Sequence, residues 1–143
     1  MLKKFDFLEH TADVYVIAYG SSLEEAFENA ALATFEVMTD TDKVEAKVKE
    51  DVKLEAQDKE ALLYVWIEEL LFLFDIKAKL YSKFKVTRIE ETEDRFLLKA
   101  SIWGEVFSAQ KHPQKLGVKA ITYHRMEICK EDDRYIVKFV LDV

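Results

Sequence analysis

Two periodicities organise the chain. Residues "DVYVIAY" (13–19) alternate, with Val14, Val16 and Ala18 on one side, the signature of a strand with one buried face. A shorter apolar-polar run, "KKFDFLE" (3–9), precedes it and reads as another strand. Gly20 breaks the pattern, and "SSLEEAFENAALATFEVM" (21–38) then repeats at helical spacing through Leu23, Phe27, Ala30, Thr34 and Met38. Ser22 followed three residues later by Glu25 is a capping box, which starts that helix. After the turn "DTDK" (40–43), alternation returns in two sets, Val44, Ala46, Val48 and then Val52, Leu54, Ala56. The polar pair Glu50-Asp51 between them predicts a bend. Asp58 is placed to cap a second helix over 59–77. That helix is apolar almost all round, so it should be covered on more than one side, with Trp66 in the core.

The second half of the chain is strand-rich. "KLYSKFKVTRIE" (79–90) and "RFLLKASIWGEVF" (95–107) form a hairpin about the turn "ETED". "SAQKHPQKLG" (108–117) is a looser basic segment carrying His112 and Pro113. "VKAITYHRMEIC" (118–129) and "RYIVKFVLDV" (134–143) close the chain around "KEDD". Hairpins outnumber crossovers, which predicts one two-layer α+β domain over 1–143, two main helices packing a mostly antiparallel mixed sheet.

Composition narrows the functional classes. The longest apolar stretch, 61–76, contains Glu68 and Glu69 and is shorter than the roughly 20 residues of a membrane span. The N-terminal "MLKKFDFLEH" lacks the apolar core of a secretory signal, and the lone Cys129 fits a reducing compartment, so the expected location is cytoplasmic. With 21 basic and 28 acidic residues the net charge is −7, which argues against an open nucleic-acid surface and suits a basic partner. A single asparagine and abundant Lys and Glu point to a thermophilic source.

Most enzyme signatures are missing. Three scattered glycines cannot build a phosphate loop, one cysteine excludes the usual zinc knuckles, and no nucleophile elbow supports a serine triad. His10, His112 and His124 have no helical ligand spacing. What remains is polar residues at strand ends. Asp13 opens one strand and Asp142 nearly closes another; a lone Asp at a strand mouth is ordinarily a turn or solvated residue. If the two strands were neighbours, the carboxylates and a main-chain carbonyl would form an oxygen-only site suited to Ca²⁺ or Mg²⁺. In "VKAITYH", alternation puts Lys119 with Ile121 and Tyr123, and Thr122 and His124 with Val118 and Ala120. These polar residues are either a strand's wet face or a recognition patch. His10 has the same two readings, and Cys129 reads as a buried, unreactive thiol.

"HTADV" (10–14), "GSSLEEAFENAALATFEVM" (20–38), "WIEELL" (66–71), "VKAITYH" (118–124) and the closing "VLDV" together resemble the archease family, in that family's order and across nearly the whole chain. The resemblance implies a two-layer fold of strand-helix-strand-strand units, one inserted in the other. It implies an accessory protein of the RtcB-type RNA ligase of tRNA splicing, promoting guanylylation of the ligase histidine and repeated turnover without being an enzyme itself. Contact with tRNA would be indirect, through the ligase, and no membrane is involved. The family's metal-binding aspartates fall on Asp13 and Asp142, with the main-chain oxygen of Val143, for a divalent cation, chiefly Ca²⁺ with Mg²⁺ or Mn²⁺ as alternatives. Its lysine falls on Lys119, and His10 and His124 are the further partner-contact candidates. The rival readings are a metal-dependent hydrolase using Asp13, Asp142 and His10, and a general protein chaperone.

Overall fold

The computed structural model describes residues 3–7 and 13–143. The elements are β1 (Phe5–Phe7), β2 (Asp13–Gly20), α1 (Leu23–Met38), a 3₁₀ turn (Thr41–Lys43), β3 (Val48–Ala56), α2 (Lys59–Lys77), β4 (Lys79–Glu91), β5 (Phe96–Val106), β6 (Ala120–Glu131) and β7 (Arg134–Asp142). The strands divide between two sheets, β1-β2-β7-β6 and β3-β5-β4, where the sequence pattern predicts one. Every described ladder is antiparallel, so no mixed pairing occurs among them. The α+β class and its two helices stand.

Both helices touch both sheets. α1 lies on β2 and β7 of the first sheet and on β4 of the second; α2 lies on β6 of the first and on β3, β4 and β5 of the second. This explains two features of the helices. The buried arc of α1 is wider than one stripe and takes in Phe35, Ala26, Ala31 and Ala33 besides Phe27, Ala30, Thr34 and Met38. Leu23, expected inside, is only half-buried. On α2, Leu62, Leu63, Trp66, Ile67 and Leu70 are fully buried, while Phe72 and Ile76 near its end stand in solvent. The Trp66 indole N–H donates to Phe27 O at 2.9 Å, satisfying a buried donor and tying α2 to α1.

Local signals set the helix starts. Ser22 Oγ accepts the Glu25 N–H, and the Glu25 carboxylate reaches back to the Ser21 N–H, one residue beyond the usual box. Asp58 Oδ1 accepts the Ala61 N–H at 2.7 Å, as its position predicts. Further along α1, Glu28 and Glu24, one turn apart, accept the Val86 and Ile89 N–H groups of β4. Since β4 is an edge strand, these carboxylates occupy donors that would otherwise invite another strand.

Three local expectations are corrected. Residues 44–47 are not strand: the Lys47 N–H bonds Gly104 O, and β3 begins at Val48 and runs through Glu50-Asp51 without a register break. Cys129 is half-buried, opposite Ile136 on the sheet face turned from the helices. The straight strand expected over 118–129 is interrupted. β6 pairs with β7 up to Thr122↔Val140 and resumes at Glu127↔Lys138, so four residues, 123–126, stand against Phe139 alone. Arg125 in that bulge has φ of 59°, a left-handed conformation uncommon for a residue with a Cβ.

A paired-carboxylate pole and the groove beside it

β2 starts, β7 ends and β6 starts at the same end of the first sheet. Asp13 stands opposite Asp142 in the β2–β7 ladder, and Ala120 stands opposite Asp142 on its other side. The terminal strand is therefore the neighbour of the second strand, the adjacency that two converging carboxylates require. Directly opposed residues share a face, with Cα atoms about 4.5–5.5 Å apart. On β2 the core-facing residues are Val14, Val16 and Ala18, so Asp13 belongs to the face turned away from the helices. Asp13 is exposed and Asp142 half-buried. Like charges directly opposed destabilise a ladder unless a cation lies between them. The small Ala120 side chain leaves space beside Asp142.

The lysine sits differently. The Lys119 N–H donates to Asp142 O at 2.8 Å, fixing the backbone at the same pole. Its side chain is exposed and lines a groove of about 190 Å³ together with Tyr64, Glu68, Phe72 and Asp75 of α2. The predicted face shared by Lys119, Ile121 and Tyr123 holds: Ile121 is buried in the core and Tyr123 stacks on Tyr64 of α2, ring centroids 4.4 Å apart. Lys119 and the carboxylate pair thus occupy one end of the sheet but opposite faces. His124 is exposed within the bulge, and its neighbour Arg125 lies over the Tyr15 ring at 4.3 Å. His10 lies outside the described residues.

The side-chain and main-chain donors at this pole are all oxygen. Asp13 and Asp142 offer two hard carboxylates, and Val143, half-buried, follows directly with its main-chain oxygen. Among the described residues no group of three or more His, Cys, Asp or Glu side chains converges. Oxygen donors of this kind fit Ca²⁺, Mg²⁺ or Mn²⁺ better than Zn²⁺, with main-chain oxygens and water completing the shell.

One buried polar cluster has no counterpart in the sequence pattern. His112 is buried, and its Nδ1 accepts the Ser108 N–H at 2.9 Å. The ring proton is therefore on Nε2, which donates to Glu105 Oε2 at 2.9 Å. Glu105 also takes the Glu45 N–H at 2.8 Å and the Lys111 ammonium at 3.0 Å. Burial pushes the Glu105 carboxyl up, but these hydrogen bonds outweigh it and hold it down at about 2. The cluster clips the loose segment 108–117 to β5 and to the loop before β3. It is a fastening, remote in sequence from the carboxylate pole.

Two helices shared by two antiparallel sheets, with a carboxylate pair at one pole, define a small α+β protein. The family model described as "Archease protein family (MTH1598/TM1083)" matches residues 5–143, and the chain belongs to the archease family. It is 49% identical to the protein archease of Sulfurisphaera tokodaii over 142 residues, 99% of this chain and all of that one. The archease of Thermococcus kodakarensis is also 49% identical, over 99% of this chain and all of its own. The solution structure of Methanobacterium thermoautotrophicum protein 1598 superposes with a TM-score of 0.87 at 46% identity, covering 99% of this chain and 100% of that one. A crystal structure from Thermotoga maritima, described as an archease and possible chaperone, shares the fold with a TM-score of 0.60 at 19% identity over 100% of this chain and 98% of its own.

Proposed function

We propose that this protein is an accessory activator of an RtcB-type RNA ligase in tRNA splicing, acting through a divalent-cation site on Asp13, Asp142 and the Val143 main-chain oxygen. The observation that supports it most directly is the register Asp13↔Asp142, which puts on one sheet face the two carboxylates that the family resemblance names. A bound divalent ion would supply positive charge against the nucleotide phosphates that the ligase must align. The chain's own part is to hold both carboxylates on adjacent strands of one sheet and to present Lys119 from the same pole. His10 and His124 are the further contact candidates. Activation then consists in favouring the ligase state in which nucleotide and histidine are aligned for attack. No bond need be made or broken on this protein, so it is not assigned as an enzyme. Membership of the archease family and a single opposed pair of carboxylates fit this reading better than a hydrolase, for which two-metal chemistry calls for more ligands.

The test is ligation of tRNA halves by a cognate ligase, under single and multiple turnover, with and without this protein and with Ca²⁺, Mg²⁺ or Mn²⁺. The reading requires a rise in guanylylated ligase and in turnover number. Protection of unrelated aggregating proteins with no effect on the ligase would replace it with a general chaperone role.

A further inference from the structure

The groove between α2 and β6 is built around three residues of the helix. Glu68, Phe72 and Asp75 are spaced i, i+4, i+7, so the two carboxylates stand one turn to either side of the Phe72 ring on one exposed face. Phe72 is 53% exposed, although the same helix buries Leu62, Leu63, Trp66, Ile67 and Leu70 completely. Ile121 and Leu71 form an apolar floor. Its volume of about 190 Å³ is below that of common small-molecule pockets, roughly 300–1,000 Å³, and suits a single long side chain.

Charge decides which side chain. Neither Glu68 nor Asp75 is engaged in an ion pair among the described residues, because Lys77 and Lys79, the cations nearest in the chain, are both taken by Glu50. Lys119 on the opposite wall offsets one carboxylate and leaves the groove net negative. Partial burial against Tyr64 raises the Tyr123 hydroxyl, and the carboxylates of Asp58 and Glu68 add to that, which marks the same negative field along this face. A guanidinium matches both halves of the site, since it stacks on an aromatic face and pairs with carboxylates in its plane. A lysine ammonium, strongly hydrated and without a flat face, matches only one.

We propose that this groove receives one arginine of the partner protein, its guanidinium lying on the Phe72 ring between Glu68 and Asp75. The identity of that partner rests on the functional reading above; the arginine-reading chemistry rests on the groove. At the same end of the sheet but on its other face, such an anchor would fix how Asp13 and Asp142 meet the partner.

The experiment is titration of the RtcB-type ligase with the wild type and with two variants, at low and high salt, each checked for an unchanged thermal unfolding. Glu68→Gln/Asp75→Asn should bind about tenfold more weakly and show a shallower salt dependence than wild type. Phe72→Leu keeps apolar volume but removes the ring face, and should bind about threefold more weakly. If either variant binds within about twofold of wild type, the arginine anchor is overturned. Should the wild type stimulate ligation while both variants bind normally, only the anchor falls. A wild type that neither binds nor stimulates the ligase overturns the functional reading and the anchor with it.

Discussion

Asp13 and Asp142 face each other across the β2–β7 ladder with no residue between them. Two carboxylates in that relation repel, and a divalent ion converts the repulsion into attraction. Wild-type protein should therefore gain thermal stability on addition of Ca²⁺, by about 2.7 kcal/mol at a hundredfold excess over the dissociation constant. Asp13→Ala and Asp142→Ala should each abolish that gain. Without metal, Asp13→Ala should change stability by no more than about 0.5 kcal/mol, because the residue is exposed and its partner is a like charge. Stimulation of the ligase should be lost in either single variant, and the double variant should be scarcely worse. Additive losses, or an equal response to Zn²⁺, would argue against a shared oxygen site.

Glu105 makes a prediction about acid. Its carboxyl is held down at about 2 in the folded protein, against roughly 4.3 in an unfolded chain. A depressed carboxylate contributes stability that is present above the unfolded value and is lost as the pH falls through the folded one. Stability should therefore drop between about pH 4.3 and 2, and Glu105→Gln should flatten that part of the curve. At neutral pH the same substitution should cost about 1.5–3 kcal/mol, the worth of hydrogen bonds to one charged group. Urea unfolding across pH 2 to 7 checks both (roughly the range over which the two carboxyl states exchange). A Glu105→Gln curve parallel to wild type would show that Glu105 does not carry this acid response.

The reach of the sequence is uneven, for physical reasons. Helix caps and the alternation of β2 are local signals, so Ser22, Asp58 and the Val14-Val16-Ala18 face lie where the pattern predicts. Asp13 and Asp142 are identifiable as candidates by residue type, by their places at strand ends and by the motifs "HTADV" and "VLDV". Their adjacency depends on β7 choosing β2 and β6 as neighbours, a long-range pairing that no window of sequence contains. The β6 bulge leaves one cue, the shift of the inward phase from Ile121 and Tyr123 to Met126 and Ile128 across the polar pair His124-Arg125, although no glycine marks where Arg125 turns left-handed. The groove shows a signal only in retrospect: Phe72 and Ile76 are the apolar residues in excess of what α2 can bury. His112 and Glu105 lack any periodic cue, since a loop and the end of the central strand β5 meet there through a hydrogen bond.

Gly104 tests the packing of the second sheet. A Cβ built there would lie 1.8 Å from Leu80 O, a backbone atom of the paired strand β4. Neither strand can move without breaking the ladder, so Gly104→Ala should destabilise by about 3 kcal/mol or more, in the range of severe overpacking. Gly117 has nothing within 4 Å of the equivalent position, so Gly117→Ala serves as the control and should be near neutral. Thermal unfolding of the two variants decides it; similar melting temperatures would mean that the β4–β5 contact yields more easily than its geometry implies.

Net charge makes a separate claim. At −7 the protein should bind free tRNA halves weakly, because most of its surface repels phosphate. Association with a basic ligase should instead be fast at low salt and slow as salt rises. Tight binding to RNA in the absence of ligase, measured by filter retention or anisotropy, would overturn the indirect role assigned to RNA.

Lys119 separates docking from activation. Its backbone is fixed to Asp142, but its side chain lines the α2 groove and lies on the opposite sheet face from the carboxylate pair. Lys119→Glu adds a negative charge to a groove that already carries Glu68 and Asp75. If the groove takes an arginine, association should be unchanged or tighter. If the lysine meets the nucleotide or the active centre of the ligase, stimulation should fall about tenfold or more, since a charge-assisted hydrogen bond becomes a repulsion. The expected result is therefore a variant that binds at least as well as wild type and activates poorly, read by titrating ligase for association and by counting turnovers for stimulation. Loss of association together with stimulation would make Lys119 a docking residue for an anionic partner group. That outcome would contradict the arginine anchor while leaving the carboxylate pole, tested through Asp13 and Ca²⁺, untouched.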